Sequence, residues 1–385
     1  MKVFPSATVR ALSSPPRGRK HVIIALADHF EPSIIEEDGR KYAPRPEQER
    51  RLEWWVREYP KVVDGFRDHD GRPFAHSYFY PAEQYDAGLI EMLAEHCHSG
   101  WGEIEIHLHH GISQPDTAEN TRRELVEFRD NLALRHRCLS IEDGSSLPRY
   151  AFVHGNFALA NSAAGRFCGV DSEMHILAET GCYADMTLPT GSWHPAQTAK
   201  INSLYECGLP LKQRVPHRAG RDLAVGRRPR IFPLMIQGPL LADFQRSWSS
   251  RRPAVENGAF TGATPPTMRR YSLWKQANVH VDGRPDWVFI KLHCHGMDPA
   301  QKDAVAGDGF RDFIAALVSG ATERNETLHF ATAREMTNII LAACDGREGN
   351  PNEYRDYRLK KISSSMLRDE KVGTLVDSVH GRPLH

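Results

Sequence analysis

The stretch Glu103–Gly111, with the sequence EIEIHLHHG, is the part of the chain around which the predicted fold is arranged. The apolar residues before the histidines predict a buried strand, and every second residue of a strand lies on the same face. His107 and His109 are therefore expected to point the same way, with His110 at the turn that follows. Imidazoles grouped at a strand end are typical ligands of Zn²⁺ or a similar divalent ion. The cluster predicts a metal site; the alternative is a polar strand end with solvated histidines.

Strands and helices are predicted to alternate on both sides of this stretch. His21–Ala27 is a continuous apolar run, as expected for a strand buried on both faces, and residues 47–68 have helical spacing. Further strands, with helical segments among them, are predicted at Phe74–Tyr80, Tyr150–Val153, Ala184–Leu188, Ile231–Ile236, Trp287–Leu292 and Leu328–Ala331. Such alternation favours a parallel sheet. Seven or eight units predict an α/β fold, a distorted (β/α)7–8 barrel with loop insertions.

Length and composition predict the organisation of the 385 residues. Residues 1–19 are expected to be a flexible N-terminal tail, 20–345 the barrel with insertions near 211–230 and 244–270, and 346–385 a C-terminal tail. Lys and Arg together number 49, as do Asp and Glu, so no global field favours nucleic acid or an acidic membrane. No apolar run approaches the ~18 residues of a membrane span. Seven scattered cysteines without a CxxC pair favour a reduced, cytoplasmic setting. The oligomeric state stays open.

Polar residues gather just after the predicted strands, and in a (β/α) barrel these strand ends meet on one face, where active sites are built. A catalytic zinc ion usually takes three protein ligands and leaves one position open. Asp28, His107 and His109 fit that set, with His110 as an alternative to either histidine. Hydrolysis also needs a base and an acid. The candidates are Glu31 or His29 as the base and His293 or His295 as the acid.

The loops after the strands also carry groups suited to a sugar. Aromatic rings can stack on pyranose faces, and amides or carboxylates can bind hydroxyl groups. The predicted substrate-binding residues are His154, Asn156, Glu173, Tyr183, Trp193 and Gln237.

The order of three motifs resembles the polysaccharide deacetylase superfamily. The motifs are Ala27-Asp28 after the first strand, the His107–His110 cluster after the third, and Ile290-Lys291-Leu292-His293 after the last core strand, within about residues 21–345. The resemblance implies a distorted (β/α) barrel, a divalent metal, and removal of N- or O-acetyl groups from glycans. It also implies that Asp28 and the His107 cluster hold the metal and that His293 is the acid.

Three positions depart from the family pattern. Ala27 stands where the family has its base carboxylate, and the histidines are two or three residues apart instead of four. His154-Gly155-Asn156 replaces the family's arginine-proline motif.

The sequence leaves three functions open. The leading hypothesis is a metal-dependent hydrolase, with zinc as the first choice of ion, that removes acyl groups from a carbohydrate. One alternative is a metal-independent glycoside hydrolase that uses two carboxylates such as Glu31 and Asp185. The other is a non-catalytic glycan-binding barrel that has lost its base at Ala27. The expected partner in each case is a carbohydrate and not a nucleic acid.

Overall fold

A computed structural model describes residues 18–35, 42–190, 200–250 and 254–362. The strands of this part of the chain are β1 (Lys20–His29), β2 (His76–Pro81), β3 (Gly102–Leu108), β4 (Ser140–Glu142), β5 (Tyr150–His154), β6 (Cys182–Asp185), β7 (Leu204–Cys207), β8 (Gly220–Asp222), β9 (Leu234–Ile236), β10 (Leu241–Ala242), β11 (Val255–Glu256), β12 (Ala259–Phe260), β13 (Trp287–Cys294), β14 (Glu326–Phe330) and β15 (Leu359–Lys361).

The helices of the same ranges mostly follow the strands of the main sheet. They are α1 (Arg45–Val63), α2 (Ala87–His96), α3 (Ala118–Asp130), α4 (Glu173–Thr180), α5 (Phe244–Ser250), α6 (Met268–Gln276), α7 (Asp303–Ala306), α8 (Asp308–Ser319) and α9 (Ala333–Cys344). Local signals explain several starts: Asp86 caps α2, Thr117 caps α3, and Thr332 with Glu335 forms a capping box on α9.

One large and mostly parallel sheet organises the molecule, which confirms the predicted α/β class. Its strand order is β12-β13-β1-β2-β3-β5-β6-β9-β7-β8, and β14 also pairs with β1. Strands β7 and β8 are antiparallel to their neighbours. The predicted closed barrel is not confirmed, because within the described residues no strand pairing joins β9 or β8 to β12 or β13. Instead, the Lys291 ammonium of β13 donates hydrogen bonds to the carbonyl oxygens of Met186 and Leu188, just beyond β6.

The two faces of the sheet have different cores. On β1, Ile24 and Leu26 pack with α1, α2 and α8 in one apolar cluster, whereas Ala25 and Ala27 pack on the opposite face in a second cluster with α9. Every residue of α9 is buried. A helix that is buried all round lies inside a core, so α9 fills the inner side of the curved sheet and the other packed helices cover its outer side.

The described parts of the predicted insertions and of the predicted C-terminal tail contain regular secondary structure. Strand β8 lies in the predicted insertion 211–230 and extends the main sheet, and α5, β11 and β12 lie in the insertion 244–270. Residues 346–362, predicted as part of a C-terminal tail, include β15, which pairs with β4. Residues 1–17 and 363–385 lie outside the described ranges. Among the described helices, none combines the length and the apolar character needed to span a membrane.

Candidate metal centre

Strand alternation separates the residues that the sequence had grouped into one metal site. His29 pairs with Phe79, whose side chain belongs to the inner cluster, so His29 points inward. Asp28 pairs with Tyr78, whose side chain belongs to the outer, helix-covered cluster. His107 pairs with Val153 of the inner cluster. Asp28 and His107 therefore lie on opposite faces of the sheet, since successive strand residues alternate.

The described residues contain three groups of side chains whose possible ligand atoms all lie within 4.8 Å of one another. The first is Glu31, His107 and His109, which we call the open group. The second is Asp28, His76 and Cys294. The third, which we call the closed group, is His110, His154, Cys168 and Glu173. The predicted ligand set of Asp28, His107, His109 and His110 is thus divided among three places, and only His107 and His109 stay together.

His107 is oriented with one nitrogen free toward the open group. Its Nδ1 lies 2.7 Å from the carbonyl oxygen of Val153. A carbonyl can only accept, so Nδ1 carries the proton and Nε2 carries the lone pair. Nε2 is buried, makes no hydrogen bond within the described residues, and lies 3.4 Å from Glu31 Oε1.

His109 has the same orientation, fixed by a carboxylate. Its Nδ1 lies 2.8 Å from Glu83 Oε1, and its backbone N–H donates to Glu83 Oε2 at 3.2 Å. Nε2 then faces Glu31 Oε1 at 3.1 Å. A carboxylate that accepts from the far nitrogen of a histidine is the usual support of a metal ligand, because it fixes the ring and raises its basicity.

The electrostatics of the open group favour positive charge. Burial opposes ionisation of Glu31, but the neighbouring His107 and His109 hold the pKa of its carboxyl well below the usual range. Burial also lowers the pKa of His109, but Glu31 and Glu83 outweigh it and raise that pKa to about 10. The pKa of His107 is lowered, mainly by burial and then by His109. Two carboxylates thus stabilise a cation here, whether a proton or a metal ion supplies the charge.

These residues fit a divalent ion. Two imidazole Nε2 atoms and one carboxylate oxygen converge, and one of the nitrogens is an orphaned buried atom. Ligands about 2.0–2.1 Å from a tetrahedral Zn²⁺ stand about 3.3–3.4 Å apart, close to the 3.1 and 3.4 Å found here. Three protein ligands beside an open cavity are the arrangement of a catalytic zinc site.

Three more imidazoles lie close to the open group on the same side of the sheet. The His29 ring centroid is 5.0 Å from that of His107 and 4.7 Å from that of His295. Burial, together with His295 and His107, lowers the pKa of His29 well below its ordinary value, so the ring is neutral. His293 lies 6.3 Å from His29; its Nδ1 is buried without a hydrogen bond within the described residues, and burial and Lys291 lower its pKa.

A cavity of about 450 Å³ opens onto the group, a volume typical of small-molecule sites. Its polar end includes His29, Glu31, His109 and His295. Its walls carry the apolar or aromatic side chains of Ile34, Ile35, Tyr42, Ile112, Phe157 and Phe167.

The predicted substrate-binding residues are spread over several environments. His154 and Asn156 line the cavity. The others that the structure describes do not: the Tyr183 hydroxyl donates to Glu105 in the inner core, Gln237 accepts from Ser203, and Glu173 is fully buried in the closed group. Trp193 lies outside the described residues. Asp185, the suggested second carboxylate of a glycosidase, is buried beside Thr187 and does not line the cavity with Glu31.

Asp28 lies in a buried group of its own, apart from His107 and His109. One oxygen accepts from the Gly296 backbone N–H at 2.7 Å, and the other lies 3.0 Å from His76 Nδ1. Both side chains are fully buried under α1, where Trp55 and Tyr59 pack on the His76 ring. The carboxylate thereby ties the loop after β13 to β1 and β2. His76, Cys294 and Glu83 were not predicted as site residues; for Glu83, its position directly after β2 was the available signal.

The fold and the site together define a mixed α/β protein with a histidine-rich candidate metal centre at the carboxyl ends of parallel strands. Neither protein-family profiles nor curated protein sequences give a match. Among solved structures, the chain is similar to one described as "putative polysaccharide deacetylase from Mycobacterium smegmatis". The similarity has a TM-score of 0.43 at 12% identity and covers 91% of this chain and 98% of that one.

Proposed function

We propose that the protein is a metal-dependent hydrolase that removes acyl groups, acetyl first among them, from a carbohydrate. The observation that carries the proposal is the open group: Glu31, His107 and His109 present three ligand atoms beside a cavity of about 450 Å³. The order of the motifs around Asp28, His107 and His293, which resembles that of polysaccharide deacetylases, supports the choice of substrate.

Each residue of the centre has a proposed role. Glu31, His107 and His109 would hold the ion, with zinc as the first choice because imidazole and carboxylate ligands suit it. Glu83 and the Val153 carbonyl orient the two imidazoles. The ion supplies Lewis acidity, which lowers the pKa of water and polarises a carbonyl. This assignment gives Glu31 the ligand position that the sequence had given to Asp28.

The neighbouring histidines are proposed to carry out proton transfer. With Glu31 engaged as a ligand, a base and an acid must come from elsewhere, and Ala27 carries no such group. His295 lines the cavity, and its ring contacts His29. We assign His295 to proton transfer with the substrate and His29 to the support of that ring. His293 lies deeper and is not among the residues that line the cavity.

The cavity fits an acylated sugar. Tyr42, Phe157 and Phe167 offer aromatic surfaces along its walls, and Asn156 and Gln84 offer amide groups to hydroxyls. Ile34, Ile35 and Ile112 offer apolar contacts for an acyl chain.

The test is release of acetate from a panel of acetylated oligosaccharides by metal-free, zinc-loaded and cobalt-loaded protein. We expect activity only with metal, and a loss of about 10²–10⁴-fold in His295→Gln at unchanged metal content, the usual contribution of a positioned acid or base. The exposed Lys212→Gln variant serves as the control. Acetate release that survives chelation, or cleavage of glycosidic bonds in place of acetyl groups, would contradict the proposal.

A further inference from the structure

The side chains of the closed group lie on the other face of the sheet from the open group, while His154, at the end of β5, also borders the cavity. His154 pairs with Leu108 of the outer cluster, and His110, Cys168 and Glu173 surround it. All four side chains are buried, and Glu173 and His154 are completely so. They come from four places in the chain: the turn after β3, the end of β5, the loop after it, and the first residue of α4.

Hydrogen bonds on the far side of each ring direct the two Nε2 atoms at each other. His110 Nδ1 lies 2.8 Å from Asp116 Oδ2, and His154 Nδ1 faces the carbonyl oxygen of Gly155. Because both partners are acceptors, each Nδ1 carries a proton and each Nε2 points inward, toward Glu173. The two Nε2 atoms are 3.0 Å apart, and Glu173 Oε1 lies 2.9 and 3.2 Å from them. Three such atoms repel one another unless they share a positive charge, which either a proton on one of the nitrogens or a metal ion between them supplies.

Cys168 completes the set. Its Sγ is 3.7 Å from Glu173 Oε2, and the backbone N–H of Val170 donates to the sulfur at 3.4 Å. A donor aimed at sulfur stabilises a thiolate, the form in which cysteine binds metals. The distances among His110, His154 and Glu173, 2.9–3.2 Å, are somewhat shorter than the edge of about 3.3–3.4 Å in a tetrahedral zinc site.

We propose that His110, His154, Cys168 and Glu173 form a second, closed metal centre that takes Zn²⁺ or a similar thiophilic divalent ion. Four protein ligands without solvent access are typical of structural zinc sites, whereas catalytic sites keep a position open. One thiolate, one carboxylate and a divalent ion sum to zero charge, which suits a buried position. Asp116 supports His110 as Glu83 supports His109. A protonated imidazole held between the same groups is the competing arrangement.

The closed centre would fix one wall of the cavity. Residues 155–172 contain no α-helix or strand, and six non-glycine residues in this segment have positive φ angles: Asn156, Phe157, Ala160, Asn161, Ala164 and Phe167. Such conformations persist only where the surroundings impose them. Phe157 and Phe167 both line the cavity. Ligands on either end of this segment and within it would impose its shape, independently of which reaction the open group performs.

Cobalt substitution tests the proposal, because a thiolate bound to Co²⁺ gives a charge-transfer absorption band that imidazole and carboxylate ligands do not. The full-length protein is stripped of metal and titrated with Co²⁺ alone. We expect the band in the wild type and in His107→Ala, which removes a ligand of the open group only. We expect it to be absent in Cys168→Ser. Cys294→Ser is the matched control, since Cys294 is the cysteine of the remaining group.

A wild type without the band overturns the closed centre and favours the protonated arrangement. A band that survives in Cys168→Ser, or that disappears in Cys294→Ser, also overturns it. If Cys168→Ser does not fold, retention of the band in both Cys294→Ser and His107→Ala supports the assignment. Acetate release by His107→Ala is a separate measurement, so failure of this centre and failure of the proposed function are distinguishable.

Discussion

At the scale of single residues, the support of each imidazole matters as much as the imidazole itself. His107 and His109 were predicted to share a face, and the alternation of β3 suffices for that inference. The alternation of β1 also separates Asp28 from His29, which shares a face with Ala25 and Ala27, but relating these faces to that of His107 requires the register between strands. The contact between Glu83 and His109 could not be inferred, because the predicted order of strands gives neighbours but not the side-chain positions in the loops that follow β2 and β3.

Glu83→Gln tests this support. Its carboxylate accepts from His109 Nδ1 at 2.8 Å, and the neutral amide polarises the ring less. We expect the affinity of the open group for Zn²⁺ to fall by about 10–100-fold, the usual cost of losing such a partner. Titration calorimetry on metal-free protein measures it, with the exposed Glu127→Gln as the control. Equal affinities in the wild type and both variants would contradict the role of Glu83.

At the scale of elements, the close contact between the loop after β5 and the loop after β3 positions the His109 ring of the open group. Gly155, which follows β5, allows the His109 ring to lie against the backbone: a Cβ at this position would be 2.3 Å from His109 Cδ2. The sequence predicted the strands β1, β2, β3, β5, β6, β9, β13 and β14 close to their observed positions. It could not predict the loop after β5, because positive φ angles at residues such as Ala160 and Phe167 depend on tertiary contacts.

Gly155→Ala should therefore displace the His109 ring. We expect the open group to bind Zn²⁺ at least about 10-fold more weakly, because its ligand geometry is disturbed. Competition with a chromophoric chelator measures the change. Gly309→Ala is the matched control, since a Cβ there meets no atom within 4 Å. Wild-type affinity in Gly155→Ala would show that the ring is not held by this contact.

At the scale of the whole molecule, a buried lysine lies where the predicted barrel would close. Lys291 is 1% exposed, and its ammonium bonds two carbonyl oxygens near β6. Burial lowers its pKa to about 7, opposed by Asp185. The sequence predicted the alternation of strands and helices but could not decide whether the sheet closes, because closure depends on how β9 and β13 approach each other. Periodicity within each segment carries no information on that distance.

The lowered pKa of Lys291 predicts a pH dependence of stability. Above about 7 the folded chain leaves this amine neutral, while the unfolded chain keeps it protonated up to its ordinary pKa of 10.5. The unfolded state then binds more protons than the folded state. The free energy of unfolding therefore increases with pH, by up to about 1.4 kcal/mol per pH unit. Between pH 7.5 and 9.5 the free energy of unfolding of the wild type should increase by about 2–3 kcal/mol relative to that of Lys291→Met. Urea denaturation measures both proteins, and parallel pH profiles would show that Lys291 stays protonated in the fold.

The central claim is that Glu31, His107 and His109, and not Asp28, hold a catalytic metal ion. Anomalous X-ray diffraction above the zinc absorption edge, from crystals of the zinc-loaded protein, tests it most directly. We expect a peak about 2.0–2.2 Å from His107 Nε2, His109 Nε2 and a Glu31 oxygen. A zinc-loaded crystal with no peak among these three residues, or with the peak bound by Asp28, would contradict it.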